Sequence, residues 1–187
     1  MPEEKEIFFD DMWGELLRGK ADSKHAFRYV TLTTIGAENW PSTRTVVLRD
    51  VDKETQSLYF FTDKRSTKIK EIESNNKVSL LFYNHKKKLQ LRVSGKAVLH
   101  TDNKISEQYF EHVRQTDLKD YRTINPPGTA LSNGKPEYYN KEKAAEHFMV
   151  IQIKAKKIDY LKLDREAHQR ILFELNQENW QSTTLVP

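Results

Sequence analysis

Alternation of apolar and polar residues over residues 89–99 limits how this chain folds more than any other feature. Placed on a strand, one face would carry Leu89, Leu91, Val93, Ala97 and Leu99, and the other Gln90, Arg92, Ser94 and Lys96. This period of two predicts a half-buried strand with one polar face. Several other short β-prone segments flank it, and closing them into a small barrel removes exposed sheet edges that would otherwise pair between molecules.

The other β-prone segments cover residues 27–35, 42–49, 57–62, 78–83, 148–153 and 158–163, followed by a strand, a turn over 176–179 and a strand to Val186. The nearly continuous apolar run over 78–83 predicts a strand buried on both faces. Helical spacing and capping residues predict helices over 7–17, ending near Gly19, over 66–74 and over 105–113.

The predicted fold class is mainly β with peripheral helices, an antiparallel barrel in a single domain over residues 1–187. A helix and lead-in would occupy residues 1–25, the barrel core 26–100, a helix and a loop 101–147, and C-terminal strands 148–187. The turn-rich stretch 125–139 predicts a long loop, a feature that is often functional or mobile.

The composition excludes several classes of site. The 187 residues can bury a core without metal or disulfide staples. The absence of cysteine excludes disulfides, thiolate nucleophiles and cysteine-ligated metal clusters, and it fits a reducing cytoplasm. The six histidines show no metal-ligand spacing, so no metal is expected. No apolar run approaches the roughly 20 residues that span a bilayer, so we expect a cytoplasmic protein without a membrane segment.

The first of three polar clusters is R-T-V-V-L-R at residues 44–49. On a regular strand Arg44 and Arg49 point to opposite faces, so they cannot both grip one small anion. Either a bulge re-aims one arginine, or the two serve separate cofactor and substrate sites. Two solvated edge arginines without a function are the remaining alternative.

The second cluster, residues 61–68, has the composition of a phosphate site. Ser66 or Thr67 can cap a helix whose first turn exposes unpaired N–H groups, and Lys68 adds a positive charge at that end. Ordinary capped helices also begin with lysine, which is the alternative. The third cluster, residues 88–95, places Gln90 and Arg92 on the polar face of their strand.

In their order along the chain, these motifs resemble the core of the pyridoxine 5'-phosphate oxidase family. The matching strings are R-T-V-V-L-R, F-F-T-D-K-R-S-T-K, N-N-K-V-S-L-L-F-Y and L-Q-L-R-V-S-G-K-A, between residues 44 and 97. The resemblance implies an FMN-binding split barrel, a homodimer with FMN at its interface, and a small-molecule substrate that stays unknown.

The resemblance also implies a set of site residues. FMN would be flanked by Arg44, Thr45, Val46, Val47, Leu48 and Arg49, and would lie close to Phe61 and Thr62. Lys68, helped by Ser66 and Thr67, would hold its phosphate, and the amide of Gln90 would address the edge of its isoalloxazine ring.

The C-terminal match supplies the remaining assignments. Tyr160 takes the position of a cofactor-contacting tryptophan, and His168 and Arg170 remain from the family's R-L-H-D-R signature. Arg170 would contact the cofactor, and Arg49 and His168 would orient the substrate.

Departures from the family pattern gather at the substrate end. Glu166 stands where the family has a substrate-gripping arginine, and a carboxylate beside a substrate phosphate is unfavourable. The helix with Tyr109 matches loosely, because Arg114 is displaced by one residue. We therefore do not expect a vitamin B6 phosphate as the substrate.

Three functions follow from these observations. The predicted function is an FMN-dependent oxidoreductase of undefined substrate, and the first alternative is a non-catalytic FMN-binding sensor or carrier. The second alternative is a barrel that binds nucleic acid through Lys86, Lys87, Lys88 and Arg92. The lysine run also fits a plain solvated hairpin turn, and the net charge of +4 favours neither interpretation.

Overall fold

The computed structural model describes residues 3–115, 118–132 and 134–187. Within them the strands are β1 Tyr29–Ile35, β2 Pro41–Asp52, β3 Ser57–Asp63, β4 Lys77–Asn84, β5 Leu89–His100, β6 Phe148–Lys162, β7 Gln169–Asn176 and β8 Asn179–Thr184. The α-helices are α1 Glu3–Ala21, α2 Thr67–Ser74, α3 Lys104–Val113 and α4 Ala144–His147.

The strands form one antiparallel sheet that closes on itself. Their order is β3-β2-β1-β4-β5-β6-β7-β8, and a further pairing of β3 with β6 closes the first six into a barrel. The mainly β, antiparallel barrel with peripheral helices is therefore confirmed. Among the described residues, no helix is both long and apolar enough to cross a membrane.

Strand β6 belongs both to the barrel and to its extension. Residues 148–154 pair with β3, and residues 157–162 pair with β7, which carries β8 at its outer edge. Strand β5 pairs with both halves of β6. The separate strands predicted over 148–153 and 158–163 are thus one continuous strand.

A bulge separates the two halves of β6. The register between β5 and β6 shifts between Ser94 and Gly95, which leaves Lys156 as an extra residue on β6. A Cβ atom on Gly95 would lie 2.5 Å from the carbonyl oxygen of Lys154, closer than side chains approach backbone atoms. Glycine is needed here because two backbones meet at the bulge.

The core joins α1 to the barrel. Met12, Trp13 and Leu16 of α1 are fully buried together with inward-facing barrel residues such as Leu32 and Phe82. Helix α1 runs through Gly19 to Ala21, so the predicted end near Gly19 was two residues too early. A smaller cluster packs α3 and the segment around Tyr121 against β3 and β6.

The prediction that residues 78–83 are buried on both faces is wrong. Buried and exposed residues alternate along β4, and Leu81 and Tyr83 are 39% and 52% exposed. The barrel interior buries only one face of each strand, so apolar side chains on the other face lie on the outer surface. Tyr29 of β1 is a third such residue, with 65% of its surface exposed.

Candidate cofactor site

Both arginines of the first cluster line one cavity of about 250 Å³, although they point to opposite faces of a regular strand. Residues from both faces of β2 line this cavity, because Thr45, Val46 and Val47 also belong to it. The register between β2 and β3 shifts between Leu48 and Asp50, with Arg49 as the extra residue of a bulge. Five strand positions span roughly 16 Å, so the two guanidinium groups serve opposite ends of the cavity rather than one small anion.

The cavity lies where β2, the end of β3 and the start of α2 meet. The other residues that line it are Thr45, Val46, Val47, Phe61, Thr62, Lys68, Asp120 and Tyr121. Eight residues predicted for the site from the first two clusters therefore share one cavity.

Lys68 supplies positive charge at the α2 end of the cavity. Its Nζ donates hydrogen bonds to Thr62 Oγ1 and Ser66 Oγ, each at 2.9 Å. Burial, and next the positive charge of Arg44, lower the pKa of Lys68. Its direct partners are neutral hydroxyls, so an anion at this end would meet an ammonium group that no carboxylate partner neutralises.

Ser66 occupies the N-cap position of α2 but does not cap the helix with its side chain. Its hydroxyl instead donates to the carbonyl oxygen of Asp63, at 2.8 Å, and accepts from Lys68. The backbone N–H of Ile69 donates to the carbonyl oxygen of Ser66 at 2.9 Å, so Thr67 and Lys68 carry the first-turn N–H groups that could bind a partner outside the helix. Thr67, the first residue of α2, is exposed and does not line the cavity.

Arg44 is held in place by a carboxylate of α2. It donates to Glu71 Oε2 at 2.7 Å and to Ser42 Oγ at 2.6 Å, and it also contacts the buried hydroxyl of Thr34. Burial opposes the ionisation of Glu71, but hydrogen bonds from Thr34 and Arg44 outweigh it and hold the pKa of Glu71 below its usual value. This network fixes α2, and with it Lys68, against β1 and β2.

The opposite end of the cavity is aromatic. The Arg49 guanidinium lies over the ring of Phe61, with its carbon 5.7 Å from the ring centroid. Tyr109 of α3 packs on the same ring, centroid to centroid at 5.2 Å. Burial raises the pKa of Tyr121 to about 12, so its hydroxyl stays protonated and can donate a hydrogen bond at neutral pH.

Arg65 connects the segment after α3 to the cavity. It binds the buried carboxylate of Asp63 at 2.6 and 3.0 Å. It also donates to the carbonyl oxygens of Thr123 and Ile124, at 2.8 and 3.1 Å. The residue that anchors this segment therefore lies in the turn between β3 and α2, three residues before Lys68.

Two predicted cofactor residues lie elsewhere for a clear physical reason. Leu48 and Tyr160 are fully buried in the barrel core, and Tyr160 packs there against Phe8. Neither side chain presents a surface to a bound molecule, because strand periodicity turns both inward. Their roles at the cofactor therefore stay predictions from the family resemblance.

Three other predicted residues, Gln90, Arg170 and His168, lie outside the cavity. Gln90 and Arg170 are on the outer face of the sheet, where Gln90, Leu161 and Arg170 form one row across β5, β6 and β7. Arg170 binds the buried carboxylate of Asp159 at 2.9 and 3.1 Å. His168 is exposed on the segment before β7, and its Nδ1 accepts a hydrogen bond from the backbone of Asp164.

Residues at the family's substrate-phosphate positions already have partners in this chain. The hydroxyl of Tyr109 donates to Asp50 at 2.8 Å, and Arg114 pairs with Glu111 at 3.0 Å. Glu166 is exposed, with its backbone N–H bonded to Asp164. The expectation that a vitamin B6 phosphate is not the substrate stays a prediction.

Glu71, Asp120 and Tyr121 were not predicted as site residues from the sequence. Glu71 lies one turn after Thr67, but its contact with β2 depends on how α2 packs. Asp120 and Tyr121 lie close to a long loop whose path has no periodic pattern. The described residues contain no cluster of acidic or histidine side chains suited to a metal ion.

Two of the four cations proposed for nucleic acid have carboxylate partners. Lys87 pairs with the buried carboxylate of Glu15, and Arg92 pairs with Asp159 at 3.0 Å. Both ion pairs would compete with phosphate contacts, which weakens the nucleic-acid alternative.

Comparison with known proteins agrees with this arrangement. Residues 10–101 match the family model described as the FMN-binding domain of pyridoxamine 5'-phosphate oxidase. The chain is similar to this FMN-binding family over just under half of its length. FMN is accordingly the cofactor of the domain, as predicted from the sequence.

Two curated relatives named pyridoxine/pyridoxamine 5'-phosphate oxidase illustrate the range of similarity. The one from Psychrobacter cryohalolentis is 37% identical over 82 residues, which are 44% of this chain and 37% of that protein. The one from Leptospira biflexa is 26% identical over 178 residues, covering 84% of this chain and 78% of that protein.

Two solved structures share the fold over almost the whole chain. A pyridoxamine 5'-phosphate oxidase-related FMN-binding protein from Nostoc punctiforme superposes with a TM-score of 0.76 at 22% identity, covering 96% of this chain and 97% of its own. PhzG from Burkholderia lata, in complex with tetrahydrophenazine-1-carboxylic acid, gives 0.69 at 16% identity, covering 98% and 90%.

We predict that Glu71→Gln lowers the free energy of unfolding at pH 7 by about 1–3 kcal/mol, because it removes a charged partner from Arg44. The folded-state pKa of Glu71 is lowered, so its stabilisation is present above the unfolded value of about 4.3 and is lost as pH falls below it. Urea denaturation at pH 7 and pH 3 should therefore show the gap between wild type and variant narrowing in acid.

Glu73→Gln is the matched control, because Glu73 is exposed on the same helix. It should unfold at nearly the same urea concentration as the wild type at both pH values. A Glu71→Gln variant that is as stable as the control at pH 7 would contradict the structural role assigned to this ion pair.

Proposed function

We propose that this protein is an FMN-dependent oxidoreductase whose cofactor lies in the cavity along β2. The observation that carries the proposal is the position of Lys68, a half-buried ammonium group with hydroxyl partners at one end of a cavity in an FMN-binding domain. The residues fit an elongated molecule with one anionic end and one planar end.

The FMN phosphate would lie at the α2 end. Lys68 and Arg44 would face it with two positive charges, and Thr62 and Ser66 would add hydroxyl groups. The free N–H groups of the first turn of α2 favour an anion at the same place. Because Glu71 already orients Arg44, little side-chain entropy remains to be lost on binding.

The planar ring would lie toward Phe61 and Arg49. Bound FMN supplies the redox chemistry, since its isoalloxazine ring takes up and returns a hydride. Arg49, the extra residue at the β2 bulge, would orient the substrate through its guanidinium donors. The protonated Tyr121 would add a hydrogen-bond donor at this end.

We further propose that two copies of the chain complete the site as a homodimer. The cavity of about 250 Å³ is smaller than the roughly 300–1,000 Å³ of sites that enclose whole ligands. Gln90, Arg170 and His168 lie outside it, where a second copy could bring them to the open side. The exposed apolar residues Leu81 and Tyr83 lie on the same outer face as Gln90 and suit a buried interface.

We predict that Lys68→Ala loses FMN affinity by about tenfold to a hundredfold, because a charged hydrogen bond to phosphate contributes roughly 1.5–3 kcal/mol. The measurement is visible absorbance of protein loaded with FMN and then desalted, followed by titration with free FMN. Lys70→Ala is the matched control, because Lys70 is exposed on the same helix. Equal flavin retention by the two variants would remove the phosphate assignment.

We predict that Tyr83→Asp shifts the protein from dimer to monomer, because it places a charge in the proposed apolar interface. Sedimentation equilibrium measures the mass, and the same samples report FMN affinity, which should fall with dimer loss. Ile7→Asp is the control, since Ile7 is 69% exposed but lies on α1. A wild-type protein that sediments as a monomer while holding FMN tightly would refute the shared site.

Turnover separates the proposed enzyme from a non-catalytic FMN-binding module. We expect NADPH or NADH to reduce the bound flavin anaerobically, and air to reoxidise it with peroxide release over many cycles. Arg49→Leu should keep FMN but reduce turnover by about tenfold or more. Pyridoxamine 5'-phosphate should leave the flavin oxidised, because Tyr109 and Arg114 are engaged elsewhere. Tightly bound flavin that no donor reduces would favour the sensor or carrier instead.

A further inference from the structure

A second concavity lies on the outer face of β1, β4 and β5 and shares no lining residue with the cofactor cavity. It has a volume of about 530 Å³, within the range of small-molecule sites. Its lining includes the apolar residues Ile35 and Val78 together with Lys77, Lys96 and Lys156. We refer to this concavity as the lysine groove.

Lys77 and Lys96 face each other across the sheet. They are directly opposite in the pairing of β4 with β5, and both are exposed. Like charges in directly opposite positions destabilise a sheet. Lys154, directly opposite Lys96 on β6, extends the same row of charges.

The bulge in β6 adds the third lysine of the groove. Lys156 is the extra residue at the bulge, and it and Lys157 are exposed in succession where strict alternation would bury one of them. Bulges re-aim side chains, and this one depends on Gly95, where any side chain would meet the backbone of β6. The backbone position of Lys156 is therefore set by the bulge in β6.

Neighbouring cations on this sheet have partners, in contrast to the groove lysines. Lys157 pairs with Glu174 at 3.0 Å, and Arg92 pairs with Asp159. Within the described ranges of the chain, no aspartate or glutamate lines the groove. Three ammonium groups thus surround an apolar concavity whose lining contains no negative charge.

We propose that the lysine groove binds a nucleoside phosphate, with the base against Ile35 and the lysine stems and the phosphates between the ammonium groups. Charge complementarity carries the proposal, because a small dianion or trianion would relieve the repulsion between Lys77 and Lys96. The apolar part of the lining favours a ligand with a flat apolar body over a bare anion.

The test uses the full chain saturated with FMN, so that the cofactor cavity does not compete, and ADP as the probe. Isothermal titration should show ADP binding at least about tenfold more tightly than adenosine or inorganic pyrophosphate. Amide chemical shifts should change at Ser94 and Gly95. Lys96→Glu and Lys156→Glu should each weaken ADP binding by about tenfold or more.

Two control variants test whether ADP binding depends on the lysines of the groove rather than on lysines elsewhere. Lys86→Glu makes the same charge change at an exposed lysine outside the groove, and it should alter ADP affinity less than about threefold. Lys70→Glu changes an exposed lysine of α2 that lines neither the groove nor the cofactor cavity, and it should also leave ADP affinity unchanged. The proposal is overturned if ADP binds no better than pyrophosphate, or if Lys86→Glu or Lys70→Glu weakens binding as much as Lys96→Glu.

Discussion

The pairing of β3 with β6 is the contact on which the rest of this molecule depends. It converts an open sheet into a barrel, and it fixes the end of β3, where Phe61 and Thr62 lie opposite Val150 and Met149. The turn that follows β3 leads directly into α2, and α2 carries Lys68. The cofactor cavity therefore lies beside the pairing that closes the barrel, and this pairing holds the end of β3 that lines the cavity.

Two strands contain bulges without breaking the barrel. Arg49 is the extra residue in β2, beside the cofactor cavity, and Lys156 is the extra residue in β6, beside the lysine groove. At the β6 bulge the two-residue alternation fails, because Lys156 and Lys157 are both exposed. Each bulge leaves one residue without a partner on the neighbouring strand.

Much of this architecture is present in the sequence as local pattern. The alternation over residues 89–99 and the short β-prone segments beside it predict the barrel, and the family resemblance of the ordered polar clusters implies the cofactor. The diverging arginines left three alternatives: a bulge, two sites, or two solvated side chains. The position of the bulge at Arg49 has no local signal, because it depends on the register with β3. The prediction for 78–83 was wrong for a related reason, since the apolar side chains of Leu81 and Tyr83 lie on the outer face rather than in the core. The family resemblance gave Tyr160 a role at the cofactor without indicating that its side chain is buried in the barrel core.

Arg65 joins the segment after α3 to the turn between β3 and α2, because it donates to two carbonyl oxygens of that segment while it binds Asp63. Ordering a backbone segment costs roughly 1–2 kcal/mol per residue in entropy. A contact that orders this turn, which directly precedes the helix carrying Lys68, therefore also lowers the entropic cost of ordering the segment.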